Sequence, residues 1–365
     1  MPIKAIALTF VPRLGTRAAV HLLESFGSAE AIYAASAQEL IVQAELREDV
    51  ARSIVAQTGL REAEREAEYC LKHNIKAIAS TQSDYPTLLR EADDYPPVIY
   101  VRGNVDALHR RCVAFVGTRK ISSYGQRMCN ELVQGLAEAV PDAVVVSGLA
   151  YGVDSACHRA ALQAGLATVG VVANALPDIT PTAHLHLAED MIANGGAIVS
   201  ELSSQTKQNG RFYIPRNRII AALAAGTVVV ESPESGGSLS TAAFADGYNR
   251  TILALPGRAT DINSRGCNLL IRNRKAQAIL SGEDIARELM WDMGLDHISS
   301  PTKEPLPLTD EESSLLALFN SDPITIDTLL VRSGLGAGEL SLLLMNLELS
   351  GAIRQLPGKQ YEKLI

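Results

Sequence analysis

Seven short runs rich in β-branched and small apolar residues, at 112–116, 143–147, 167–172, 197–201, 226–231, 251–255 and 276–280, alternate with stretches of helical periodicity such as Met128, Leu132, Leu136 and Ala139. When strands alternate with helices, each strand joins the next by a crossover, and crossovers build a parallel sheet with helices on both faces. The fold class is therefore α/β, a parallel, doubly wound sheet. Residues 75–79 and 98–101 read as two further strands that extend it, with Tyr95-Pro96-Pro97 forcing an extended approach to the second.

Both flanks differ from this pattern. Residues 1–75 read as helices only, a small helical packing domain, with Ser36 and Glu39 spaced as a capping box and a charged stretch of mixed sign over 61–68. Pro12-Arg13-Leu14-Gly15 has the place of a helix-hairpin-helix turn, but Arg13 stands where glycine is usual, and helical packing is the expectation. The sheet domain spans 76–293. Residues 294–308, with Ser299-Ser300-Pro301, Pro305 and Pro307, read as a linker. From 309 to 365 three helices and a hairpin make a winged helix: Thr309 and Glu312 cap the first helix, the second covers 325–333, and Leu340, Leu343, Leu344 and Leu347 share one face of the third. The third helix carries Glu339 and Glu348 and no cation, which suits a protein-facing or regulatory surface rather than a major groove.

The formal net charge of −8 is unevenly distributed. Residues 111–282 hold fifteen basic and twelve acidic groups, whereas 283–365 hold six and fourteen. Only the middle segment offers a polyanion a basic surface. The longest apolar run, 219–230, is too short to cross a bilayer, and no cleavable leader is legible at the N-terminus. Five cysteines without CxxC spacing, Cys70, Cys112, Cys129, Cys157 and Cys267, suit buried reduced thiols in the cytoplasm.

Three strand-to-helix turns carry the chemistry. Two follow the runs ending in Val116 and Ser147: Gly117-Thr118-Arg119-Lys120, and Gly148 leading to Tyr151-Gly152. The third is Ser235-Gly236-Gly237-Ser238. In a parallel sheet such turns gather at the carboxyl edge, where backbone N–H groups and helix N-termini favour anions. The plainer alternative is a set of tight turns with Arg119 solvated and Ser238 serving as a helix cap. Neither GxxxxGK[ST] nor GxGxxG is present, so the edge lacks the fingerprints for a single mono- or dinucleotide.

A fourth segment, Arg211-Phe212-Tyr213-Ile214-Pro215-Arg216-Asn217-Arg218, interleaves aromatic rings with guanidinium groups, the pairing used to stack bases and hold backbone phosphates of single strands. Its alternative is two core aromatics followed by a solvated helix start. No catalytic constellation accompanies these segments. His184 and His186 read as surface histidines rather than metal ligands, His158 as a residue that caps or packs rather than a base, and Asp154 as a helix cap.

In order and spacing these motifs resemble the DNA-processing protein A (DprA) family: Val116-Gly117-Thr118-Arg119, 147–154 with His158, Ser200-Glu201, 216–220, 235–239, Leu255-Pro256-Gly257 and 266–271. The resemblance implies an extended Rossmann-like fold flanked by a SAM-like helical domain and a winged helix, in a homodimer that binds single-stranded DNA without sequence preference and loads the RecA recombinase in natural transformation, with no cofactor, metal or catalytic residue. Carried onto this chain, the contact residues are Gly117, Thr118, Arg119, Lys120, Gly148, Arg211, Phe212, Tyr213, Arg216, Asn217, Arg218, Gly236, Gly237 and Ser238, with Phe212 or Tyr213 supplying the stacking ring. A nucleotide or nucleoside phosphate hydrolase of Rossmann-like fold is the alternative, and Glu231 is the nearest carboxylate it could use.

Overall fold

The computed structural model describes residues 1–291, 309–319, 324–349, 352–356 and 360–363. The linker expected at 294–308 lies outside them. Nine strands form one sheet: β1 (Lys76–Ala79), β2 (Val98–Gly103), β3 (Cys112–Val116), β4 (Val144–Ser147), β5 (Ala167–Val171), β6 (Ala197–Ser200), β7 (Gly226–Val229), β8 (Thr251–Ala254) and β9 (Gln277–Ala278). Their order is β1-β2-β6-β5-β4-β3-β7-β8-β9. Strands β3 to β9 pair in parallel, while β1 and β2 extend the β6 edge in antiparallel fashion.

The alternation of each strand decides the layers. In β3, Cys112, Ala114 and Val116 face one core, and Val113 and Phe115 face the other. Helices Ser123–Ala139 and Val153–Gln163 cover the second face, while Tyr213–Ala222 and Ser238–Gly247 cover the first. Ser122 caps helix Ser123–Ala139 by accepting the Gly125 N–H at 3.1 Å, and its Leu132 and Leu136 are fully buried, each stabilising the fold by about 1.5–3 kcal/mol.

Six helices, from Ile3–Thr9 to Leu60–Lys72, make up the N-terminal segment. The capping box at Ser36 and Glu39 is formed. Arg13 takes a left-handed φ of 63° in the turn and pairs with Asp49 at 2.9 Å. These helices share a core with Ala77, Ala79, Val98 and Tyr100, and residues 1–293 pack as one compact unit. The five cysteines are free and buried, and no single described helix is long and apolar enough to cross a membrane.

The described residues from 309 onward belong to a separate unit. Helices Asp310–Leu316, Ile326–Ser333 and Ala337–Leu349 pack with a three-stranded sheet, β10 (Ile324–Thr325), β11 (Ile353–Leu356) and β12 (Gln360–Lys363), in the order β10-β12-β11. Leu340, Leu343, Leu344 and Leu347 are buried on the shared face read from the sequence.

Candidate functional site

Strands β4, β5 and β6 follow β3 in one direction across the sheet, and β8 and β9 follow β7 in the other. The turns leaving β3 and β7 therefore diverge, and a crevice opens at this switch of direction, the favoured ligand position of open α/β sheets. Here it is a cavity of about 330 Å³. Gly117, Thr118, Arg119, Tyr213, Arg216, Asn217, Gly236, Gly237 and Ser238 all line it, together with Asp154, Ile220 and Thr241.

Backbone bonds pin the first turn. Thr118 N–H donates to Glu231 O at 2.7 Å, and Val153 N–H donates to Thr118 O at 3.2 Å. Gly152, at φ +80°, passes so close to Thr118 O that a Cβ would collide with it. The Thr118 hydroxyl accepts the Lys120 N–H at 3.1 Å. Arg119 is exposed and forms no ion pair among the described residues; its guanidinium carbon lies 5.0 Å from the Tyr213 ring centroid. Lys120 is also exposed but lies outside the cavity lining.

The arginine block divides into three environments. Arg211 is exposed beside the half-buried Phe212, 5.0 Å from its ring centroid and outside the cavity lining. Arg216 is 5% exposed. Its Nη1 donates to Gly148 O at 2.6 Å and to Val171 O, and its Nε donates to Asn217 Oδ1 at 3.2 Å. It therefore ties the ends of β4 and β5 together beneath the cavity. Arg218 departs from its expected contact position: the residue is 7% exposed, and its guanidinium donates to Asp94 O and Glu201 Oε2. Burial and these partners engage it away from the groove.

Asp154 is a further departure. Gly152 occupies the cap position, and the Asp154 carboxyl accepts the Ala150 N–H at 3.3 Å on the cavity wall. Burial pushes its pKa up, opposed by the Arg216 charge, while burial pushes the Arg216 pKa down, opposed by Asp154. Gly148 does not line the cavity. A Cβ there would sit 2.6 Å from both Arg216 Nη1 and Asp154 Oδ2, so glycine makes room for both buried groups. His184, expected at the surface, is buried, and its Nδ1 lies 2.8 Å from Leu149 O. His158 packs as expected, fully buried, with Nδ1 2.6 Å from Thr168 Oγ1.

The third turn contributes Gly236, Gly237 and the start of helix Ser238–Gly247. The Ser238 hydroxyl donates to Ser232 Oγ at 2.9 Å, and the Asn217 amide donates to Ser240 Oγ at 3.0 Å. Glu231 lies outside the cavity lining, and its buried carboxylate accepts both the N–H and the hydroxyl of Ser122. Among the described residues, Asp154 is the one carboxylate on the cavity wall, facing the Arg216 charge. The site thus presents a guanidinium on an aromatic ring and hydroxyl- and glycine-rich turns. Sequence reading missed Asp154 and Thr241 as wall residues, although both lie within helical turns adjoining the two glycine motifs.

A family model described as DNA recombination-mediator protein A matches residues 76–290, and one described as DprA winged helix domain matches 299–359. The chain is 33% identical over 324 residues to Protein Smf of Escherichia coli (strain K12), covering 84% of this chain and 85% of that one. It is 38% identical over 205 residues to DNA processing protein DprA of Streptococcus pneumoniae, covering 56% and 71%. Among solved structures, DprA from Streptococcus pneumoniae aligns with a TM-score of 0.69 at 28% identity, over 79% of this chain and 98% of that one. DNA processing protein A from Helicobacter pylori, described for its unique single-stranded DNA binding mode, aligns with a TM-score of 0.53 at 27% identity, over 60% and 97%.

Proposed function

This chain belongs to the DNA recombination-mediator protein A family, and on that premise we propose that it binds single-stranded DNA without sequence preference along the carboxyl edge of its sheet and loads the RecA recombinase onto the bound strand. The observation that carries the reading is Arg119: exposed, without an ion pair among the described residues and lying against Tyr213, at a cavity whose wall carboxylate, Asp154, faces a buried arginine. A guanidinium can fork onto phosphate oxygens while the ring beside it stacks on any base, which favours a strand without favouring a sequence. The loading step rests on the family: a recombination mediator must deliver its strand to a recombinase.

In this reading the protein is a cytoplasmic homodimer that acts by binding and delivery rather than by catalysis, in natural transformation and recombination. The hydrolase alternative needs an acid or base beside the Gly236-Gly237 turn, and Glu231 is committed to Ser122. The deciding experiment titrates oligo-dT, duplex DNA and free nucleotides at two salt concentrations. Salt-dependent binding of the single strand in preference to the other two is expected. Turnover of a nucleotide, or equal affinity for duplex, would overturn the reading.

A further inference from the structure

Glu66 lies on helix Leu60–Lys72 within the charged stretch of the N-terminal segment, yet it is only 2% exposed. Both carboxylate oxygens reach a distant part of the chain. Oε1 accepts the Ser204 N–H at 2.8 Å, and Oε2 accepts the Ser204 hydroxyl at 2.6 Å. One turn earlier on the same helix, the Glu62 carbonyl accepts the Gln205 side-chain amide at 3.1 Å.

Ser204 and Gln205 belong to the connection 201–209, which leaves β6 and ends at the single turn Gly210–Phe212. That turn delivers Arg211, Phe212 and Tyr213. The connection contains no helix or strand, so without anchors its backbone would sample many conformations. A buried carboxylate is stable only when its oxygens are bonded, and here the bonds run to the connection. Gln208 adds a more exposed tether, its amide donating to Thr180 Oγ1 at 2.9 Å.

We propose that Glu66 is a positioning residue for strand binding: through it the N-terminal helices hold the connection 201–209 and present Arg211, Phe212 and Tyr213 already placed for the strand. The helical segment is then part of the binding apparatus. This inference rests on the groove being a single-strand site, and its mechanism is preorganisation, since ordering done before binding does not weaken the complex.

The test compares full-length wild type with Glu66→Ala, Glu66→Gln and Ser204→Ala in titrations with fluorescent oligo-dT at two salt concentrations, beside limited trypsin digestion. Glu66→Ala is expected to weaken binding about tenfold with an unchanged salt slope, because every cation that meets a phosphate is still present. Cleavage after Lys207 should accelerate while the thermal midpoint and the fraction of active protein stay close to wild type. Glu66→Gln keeps an acceptor for Ser204 N–H and should recover affinity to within about threefold of wild type. Binding by Glu66→Ala within twofold of wild type, or a lowered salt slope, would overturn the proposal. If Glu66→Ala does not fold, Ser204→Ala carries the test: about threefold weaker binding is expected, and unchanged affinity is fatal. If wild type itself ignores oligo-dT, the functional reading fails separately, and the cleavage rate after Lys207 still decides whether Glu66 holds the connection.

Discussion

The Arg119 guanidinium carbon lies 5.0 Å from the centroid of the Tyr213 ring, joining the turn after β3 to the start of the helix that precedes β7. These residues are 94 positions apart in the chain, and their meeting makes one surface of two motifs. Arg119→Ala should weaken oligo-dT binding and lower the salt slope of the affinity by roughly 0.7 for each phosphate that the variant no longer neutralises. Binding with an unchanged slope would show that the phosphate lies elsewhere.

Tyr213 lines the cavity, whereas Phe212 lies outside it beside Arg211. Tyr213→Ala is therefore expected to cost about 1–3 kcal/mol of single-strand affinity, the range for one stacked base, and Phe212→Ala less. Fluorescence anisotropy on both variants settles the order. A larger loss at Phe212 would place the stacked base outside the cavity.

Arg216 predicts a stability effect first. Arg216→Ala removes the donor to Gly148 O and Val171 O and leaves Asp154 buried without its opposing charge. A buried acceptor left without its donor costs about 1–3 kcal/mol, and two carbonyls lose theirs here. Urea denaturation should show a loss of that order, and a loss below about 1 kcal/mol would mean that water reaches the site.

His158 links stability to pH. Burial, with the charges of His184 and Arg216, lowers its pKa from 6.5 to about 3. The folded protein therefore binds fewer protons at this site than the unfolded chain between those values, and stability is retained above pH 6.5 and lost as pH falls towards 3. The amount is on the order of a few kcal/mol. Asp154, whose pKa is raised, acts in the opposite direction, as its contribution is lost with rising pH. Unfolding free energies of wild type and His158→Leu, measured from pH 7 to pH 4, should converge towards acid. A constant difference would contradict the assignment.

Helix Ala337–Leu349 exposes Glu339 and Glu348 and has no cation to meet a phosphate. Deletion of residues 300–365 is expected to leave oligo-dT affinity within tenfold of the full chain, as measured by the same titration. A greater loss would make the winged unit part of the strand site.

The strands were legible because alternation and β-branching are local signals: each run from 112 to 280 folded within a few residues of its expected ends. The gathering of three turns at one edge also followed from parallel topology. What local sequence does not carry is which charged groups are buried. Arg211 and Arg218 read alike in the block, yet Asp94 and Glu201, supplied by two distant segments, draw only Arg218 inside. Glu66 sits among exposed charges of mixed sign and is buried because Ser204 reaches it from another part of the fold. Asp154 has a helix-capping position in the sequence, but Gly152 turns the chain first and leaves its carboxyl on the cavity wall.

Gly148 and Arg216 occupy one volume, since the space that a side chain at 148 would take is already filled by the guanidinium. The two positions are therefore epistatic. Shortening residue 216 alone does not admit a larger residue at 148, because the Asp154 carboxylate still borders the same space, and it leaves the Gly148 and Val171 carbonyls without their donor. The coupling therefore runs through three positions, 148, 154 and 216, and their substitutions are not expected to add.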